Sequence, residues 1–321
     1  MKVYADEINK WNARKGQSQG IPGEFHYGAA AMQDGTLSLS VEVNPKGGGT
    51  GLRKVDTWLM VMADCLDGLG GGRRIGDLRI TLKGTNDQAD LESFRRRICY
   101  LALNNGWKAI VTAPGGPLPL APDWKTLLCP APNEEIHDNW GQRKDSADKD
   151  GAIEKMLQTW LAGEDRKDSR RLAVLGEDFM YGQSTAVKVL REVPTGSFAG
   201  PVSKKNRLLP TYWIDLVTQN RRRELALIEL KVSDSKLDVI AQALDYALFF
   251  RVHRKKLVEV LRKKLSPDLP ERPAINCYIV NNRFHEHFDG VGKYYQPRES
   301  HKICHFHFRK VLLGATTDLG S

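Results

Sequence analysis

Asp215, Glu229 and Lys231 have the side-chain types and the spacing needed for phosphodiester hydrolysis. Asp215 follows the apolar residues Trp213 and Ile214, and Glu229 and Lys231 sit two apart in Ile228-Glu229-Leu230-Lys231-Val232, otherwise a buried-strand sequence. Two carboxylates side by side in an apolar setting are costly unless something positive lies between them. A divalent cation meets that need, because Mg²⁺ takes one or two carboxylates and completes its shell with water and phosphate oxygens. A neighbouring ammonium can then orient the attacking water or steady charge on the phosphorane. The competing reading is a hairpin with an internal salt bridge from Lys231 to Glu229 or Asp215.

The chemistry requires strands that bring these residues level. With Arg221, Arg222 and Arg223 as the turn of a hairpin, Asn220 faces Glu224 and, continuing in step, Asp215 falls opposite Glu229. Cross-strand partners share a face with Cβ atoms about 5 Å apart. Lys231, two residues on, projects to the same face, while Ile228, Leu230 and Val232 point to the core. A one-residue slip would separate the pair. The pattern after the hairpin predicts a long helix over about 235–265, stopped by Ser266-Pro267, and then a strand over 274–282. Gln242 and Tyr246 are four apart on that helix and share a face. Upstream, Ile153, Met156, Leu157, Trp160 and Leu161 follow the spacing of a core-facing helix, and a second helix is expected over about 173–192.

The run 212–246 resembles the PD-(D/E)XK, or restriction-endonuclease-like, nuclease superfamily. The family's signature Asp corresponds to Asp215, its Glu-x-Lys to Glu229-Leu230-Lys231, and Gln242-Ala-Leu-Asp-Tyr246 is similar to the QxxxY motif of its RecB-like branch. The resemblance covers about 170–310. It implies a mixed sheet flanked by helices and Mg²⁺-dependent hydrolysis of DNA by activated water, with Mn²⁺ as an alternative ion. Asp215 and Glu229 would hold the metal, Lys231 would act on water or charge, and Gln242 and Tyr246 would support the site. Family members often add an acidic or His ligand from a helix before the hairpin. Here the aligned position is Gln183, with Glu177 and Glu192 as acidic candidates. A chain that has kept this fold only to bind nucleic acid or a protein partner is the alternative function.

The remainder of the sequence sets the context. A net charge of +9 suits a polyanionic partner, DNA foremost. Basic runs at Arg221 to Arg223 and Arg254-Lys255-Lys256 are the candidate phosphate contacts, alongside Lys204-Lys205 and Arg262 to Lys264. Scattered cysteines without a CxxC pair, a charged start without an apolar h-region and the lack of a long apolar run point to a cytoplasmic protein with no membrane span. The glycine-rich stretches 46–54 and 68–74 lack the GKS or GKT ending of a P-loop and read as flexible connections. His285, His287, His301, Cys304, His305 and His307 form a late cluster. However, His305 and His307 alternate with Phe306 and Phe308 as in a strand over 303–313.

The fold class is therefore α/β in two parts. Residues 1–136 form an N-terminal α/β module, with a strand at 76–83, a helix at 88–104 and a strand at 107–113. A polar linker spans 137–151, and 152–321 form the nuclease-like domain. Recognition of substrate or of a protein partner, a second copy included, falls to the N-terminal module.

Overall fold

The computed structural model describes residues 27–43, 50–68, 75–84, 87–137, 152–163, 169–181, 187–232, 236–298 and 306–313. The chain is mixed α/β and divides into two units, one of residues 1–129, 240–244 and 286–301, the other of 130–239, 245–285 and 302–321. The division thus falls after Cys129, earlier than the expected linker, most of which lies outside the described residues. Residues 134–136 belong to the second unit because they pair there with 197–199.

The first unit is built on a sheet in the order β1-β2-β3-β4-β5, comprising β1 (Tyr27–Gln33), β2 (Thr36–Glu42), β3 (Asp77–Lys83), β4 (Lys108–Ala113) and β5 (Gly116–Leu118). The central strands β2, β3 and β4 run parallel, because helices α1 (Thr50–Gly68) and α2 (Gln88–Asn105) make the return crossings. Leu37, Leu39 and Val41 alternate with Ser38 and Ser40, and Leu78, Ile80 and Leu82 with Arg79 and Thr81, so one face of the sheet is buried. Helix α2 begins where Asp87 accepts from the Ala89 amide at 2.9 Å and ends at Gly106, whose left-handed φ of 71° lets its N–H reach back to Ala102. Between α1 and α2, Arg97 Nε lies 2.7 Å from Asp56 Oδ2, with side chains 1% and 0% exposed, and Arg97 also donates to Ser93 Oγ. Thr50 to Lys54, expected in a glycine-rich loop, form the first turns of α1; the apolar stretch that follows recruits them into the helix. After residue 113 the chain forms β5 and then α3 (Trp124–Leu127), which Asp123 caps through the Thr126 amide.

In the second unit a short ribbon pairs β6 (Glu134–Ile136) with β8 (Ser197–Ala199). The main sheet has the order β12-β11-β10-β9-β7, from β7 (Leu190–Pro194), β9 (Trp213–Gln219), β10 (Leu225–Lys231), β11 (Ile275–Asn281) and β12 (Phe306–Leu312). Strands β7, β9 and β10 are antiparallel, whereas β11 and β12 run parallel to β10. The return from β10 to β11 passes through α5 (Asp238–Val252) and α6 (Arg254–Lys264). The single long helix expected here breaks at His253, whose backbone leaves the helical region while its N–H still bonds Phe249. Helix α4 (Ala152–Ala162) lays Leu157, Leu161 and Ala162 on Leu216, Ala226, Ile228 and Leu230. The other face meets α5 through Tyr246, as described below.

The described part of the helix expected over 173–192 is instead 3-10 turns at Ser169–Leu175 and Glu177–Phe179 followed by strand β7. Leu172, Leu175 and Phe179 pack into the α4 core, and that packing needs only short turns. On α4, Ile153 and Met156 are 59% and 70% exposed, contrary to the apolar periodicity. Between β11 and β12 the chain returns to the first unit as α7 (Phe288–Tyr295), where Tyr100 donates to the Tyr295 carbonyl and Asn104 to those of Tyr294 and Gln296. Among the described residues no helix is long and apolar enough to cross a membrane.

Candidate functional site

The hairpin of β9 and β10 has the step that the sequence predicts. Asn220 N–H donates to the Glu224 carbonyl, and Gln219, Thr218, Val217 and Leu216 pair in turn with Leu225, Ala226, Leu227 and Ile228. The turn is locked by its own chemistry. Asn220 Oδ1 accepts from the amides of Arg222 and Glu224, both at 3.0 Å, and Arg223 takes the left-handed φ of 62° that reverses the chain. Continuing the same step puts Asp215 level with Glu229.

At that level the ladder stops and side chains replace it. Asp215 Oδ2 accepts the Leu230 amide at 2.7 Å, and Oδ1 accepts Gln158 Nε2 at 2.5 Å. Glu229, 3% exposed, holds Lys231 Nζ at 2.9 Å through Oε1. Tyr246 Oη from α5 lies 3.1 Å from Glu229 Oε2 and 3.0 Å from the Trp213 carbonyl, and with one proton it donates to one of them at a time. Glu154 from α4 accepts the Val232 amide at 3.1 Å and lies 3.7 Å from Lys231 Nζ. Lys231 is thus faced by Glu229 and Glu154, with Asp215 close enough to act on it electrostatically.

The electrostatics follow from this crowding. Loss of water, and then the charge of Glu229, push the Asp215 carboxyl well above the usual carboxylate range. Burial alone would lower Lys231, but Glu229, Asp215 and Glu154 outweigh it and hold the ammonium charged. Gln158 is 7% exposed, and its Oε1 is buried with no hydrogen-bond partner although the same amide bonds Asp215. An unused buried acceptor is expensive. Beside a carboxylate that resists ionisation, it marks a place short of positive charge or of donors. The oxygen donors of Asp215 and Glu229 and the unused Oε1 fit a hard divalent cation. Among the described residues no group of three or more His, Cys, Asp or Glu side chains forms a ready-made cage.

Glu154 and Gln158 are the site residues that periodicity missed. They lie four apart on α4 and share the stripe of Leu157 and Leu161, so the inward stripe is part polar, and apolar spacing alone rotates the helix toward Ile153 and Met156. The polar pair at i and i+4 beside two buried leucines was the available signal.

The ligand candidates upstream fare differently. Gln183 lies outside the described residues. Glu177 is exposed, beside Asp178, which accepts the Arg221 amide and pairs with Arg222 at the turn end of the hairpin. That end is roughly 17 Å from Asp215, five residues of strand away. Glu177 is therefore not at the carboxylates. Arg221, Arg222 and Arg223 occupy the same far end, where Arg222 lies 3.3 Å from Asp178 and 3.2 Å from Glu224. Lys256 donates to the Glu134 carbonyl and lies 2.9 Å from Glu135, Lys255 is exposed, and Arg254 is half-buried. Gln242 is half-buried one turn before Tyr246. Of the late cluster, His301, Cys304 and His305 lie outside the described residues.

The raised Asp215 carboxyl sets a pH dependence. A folded-state pKa above the unfolded value contributes stability at low pH that is lost as pH rises through the folded pKa. In EDTA, the urea midpoint of the wild type should therefore fall as pH rises above about 4, the unfolded value for Asp. Asp215→Asn should lack that fall. Its amide still accepts from Leu230, and Gln158 can turn its free Oε1 to meet the new donor. Urea midpoints for both proteins between acid and neutral pH check this, and parallel curves would refute the assignment.

Compared with known families, known proteins and solved structures, the chain finds no match in any of the three.

Proposed function

We propose that the second unit is a Mg²⁺-dependent nuclease of the restriction-endonuclease-like type that hydrolyses DNA phosphodiester bonds. The observation that carries this reading is the convergence of Asp215, Glu229 and Lys231 from two adjacent strands, tied to helices on either face by Gln158, Glu154 and Tyr246. A mixed sheet flanked by helices is also the core that the PD-(D/E)XK resemblance leads one to expect. A bare salt bridge would need one carboxylate for Lys231. Two flank it directly, and a third, Asp215, is held so that its charge is penalised.

Asp215 and Glu229 are the residues that would hold the cation, with Gln158 Oε1 in reach of the same group. Bound there, a divalent ion would polarise the phosphoryl oxygens and make water a better nucleophile. Lys231 keeps its charge at any physiological pH, so its Nζ is a fixed positive group for the oxygen that gains charge as water adds to phosphorus. Tyr246 orients Glu229 by its hydroxyl, and Glu154 braces both Lys231 and the end of β10. Water forms the new P–O bond and gives up a proton to solvent, the P–O bond to the sugar oxygen breaks, that oxygen takes a proton from solvent as it leaves, and no covalent protein intermediate forms.

A Mg²⁺ titration with plasmid, linear duplex and single-stranded DNA tests the reading. Cleavage that needs the ion and disappears in both Asp215→Asn and Glu229→Gln supports it. Cleavage unchanged in either variant would reject it. For binding, neutralising Arg254, Lys255 and Lys256 together in EDTA should flatten the log–log salt dependence by about 0.9 for each phosphate that the variant no longer neutralises. Because Lys256 is engaged with Glu135, we expect no more than two such phosphates, a slope change of about 1.8 at most. An unchanged slope would make this a solvated helix face.

A further inference from the structure

The carboxylate site is reached from the end of its strand. Gln158 of α4 and Tyr246 of α5 cover Asp215 and Glu229 from the two faces of the sheet. Glu229 is 3% exposed, whereas Lys231, the last residue of β10, is 21% and its neighbour Glu154 25% exposed. Strands β10, β11 and β12 run parallel, and Lys231 pairs with Asn281, so the ends of β10 and β11 lie level on one edge of the sheet. In open α/β sheets, ligands bind outside the carboxyl ends of such strands.

The chain that leaves β11 at this edge is a fixed turn carrying an arginine. Asn281, 1% exposed, accepts the Arg283 amide through Oδ1 at 3.2 Å, and its carbonyl accepts the Leu313 amide at 2.9 Å. On the other side of Arg283, the ring of Phe284 takes the Lys310 ammonium of β12 at 5.0 Å from its centroid. The backbone at Arg283 is therefore tied down before and after it. One strand spacing and two residues of chain leave its Cα within about 12 Å of that of Lys231. The Arg283 side chain is exposed and makes no hydrogen bond or ion pair among the described residues.

The charge of the site calls for such a group. Asp215, Glu229 and Glu154 outnumber Lys231, and one divalent ion does no more than neutralise the excess. Lys231 is itself committed to Glu229 at 2.9 Å and faces Glu154 at 3.7 Å. A phosphodiester arriving at the end of β10 thus gains little net attraction from the site alone, and a cation at its mouth supplies it.

We propose that Arg283 binds the backbone phosphate next to the scissile one on the DNA strand being cut. This rests on the nuclease reading of the same site and adds the group that holds its substrate. The guanidinium takes two oxygens of one phosphate through its planar fork. A phosphate contact of this kind sets the register of the strand over Lys231 and carries no base preference.

The test uses the full chain and a short DNA duplex, with binding measured in EDTA across a salt series and steady-state cleavage measured in Mg²⁺. Arg283→Gln should weaken binding about tenfold, the loss of one charge-assisted contact, and reduce the log–log salt slope by about 0.9. Its KM should rise by a similar factor and kcat fall by less than about threefold, because the contact is the same in ground state and transition state. Arg283→Lys should restore the slope but only part of the affinity, since an ammonium lacks the fork. Unchanged slope and affinity in Arg283→Gln overturn the contact, and the nuclease reading stands if Asp215→Asn still abolishes cleavage. A fall in kcat of about a hundredfold with KM unchanged also overturns it, because the arginine then acts on the reacting phosphoryl group. Binding that depends on Arg283, with no cleavage by the wild type at any Mg²⁺ concentration, overturns the nuclease reading and leaves only a phosphate contact. No DNA binding by the wild type overturns both.

Discussion

Lys231→Met should lower the turnover of DNA cleavage by about two to three orders of magnitude, the usual effect of removing one preorganised group that stabilises transition-state charge. Affinity for the divalent ion should hold or rise, because the variant removes a positive charge that sits 2.9 Å from Glu229. The folded protein in EDTA should be less stable than the wild type. Glu229 and Glu154 then face one another without the ammonium that both of them approach. This pattern separates two roles for the lysine. If Lys231 only neutralised the carboxylates, added Mg²⁺ would replace it and restore turnover. If it acts on the reacting oxygen, saturating Mg²⁺ leaves the defect in place. Single-turnover rates measured across a Mg²⁺ series decide between them, and full recovery at high Mg²⁺ would remove Lys231 from the reaction.

The second large effect lies in the first unit. Asp56→Ala leaves the Arg97 guanidinium, 1% exposed, without its carboxylate. Breaking one side of a buried ion pair costs about 3–5 kcal/mol, because the remaining charge stays buried. Ser93 still accepts one N–H but cannot replace a charge. The melting transition of this unit should fall by on the order of 10 °C. Replacing both residues by apolar ones of similar volume, Asp56→Leu with Arg97→Met, should recover most of that loss. Denaturation of the single and double variants checks both statements. A loss below about 1 kcal/mol for Asp56→Ala would mean that water reaches the guanidinium more readily than its burial indicates.

The sequence made the hairpin legible because its signals were local and agreed with one another. Asn220 and Glu224 bracket a basic turn, alternation fixes which residues of β10 face the core, and the step between them leads from Asn220 opposite Glu224 to Asp215 opposite Glu229. The strands at 77–83, 108–113 and 275–281, and the helix at 88–105 with its glycine stop, were readable for the same reason. What failed depended on partners distant in sequence. The apolar spacing marks helix α4 but turns it to the wrong side, since Glu154 and Gln158 face inward only because Lys231, Val232 and Asp215 wait for them more than fifty residues later. Glu192 falls at the end of the helix expected over 173–192. Its place on an edge strand follows from pairing with β9, which leaves no periodic trace in a strand of five residues. The arginines of the turn, close to Asp215 in sequence, are distant in space because a strand is extended. Nor could any single boundary along the chain describe a unit whose last helix is supplied after residue 285.

That late helix bears on how the protein is made. The carbonyls of Tyr294 and Gln296 on and after α7 accept from Asn104, and that of Tyr295 from Tyr100, so these two side chains of α2 have their partners only when this stretch has been synthesised. From Cys129 to Tyr295 is 166 residues, roughly 8–33 s of elongation at about 5–20 residues per second. During that interval helices α1 and α2 have left the ribosome without the helix that packs against both of them. A ribosome stalled before residue 288 should therefore carry an N-terminal unit open to protease and chaperone, whereas one stalled past the end of α7 and clear of the exit tunnel should not.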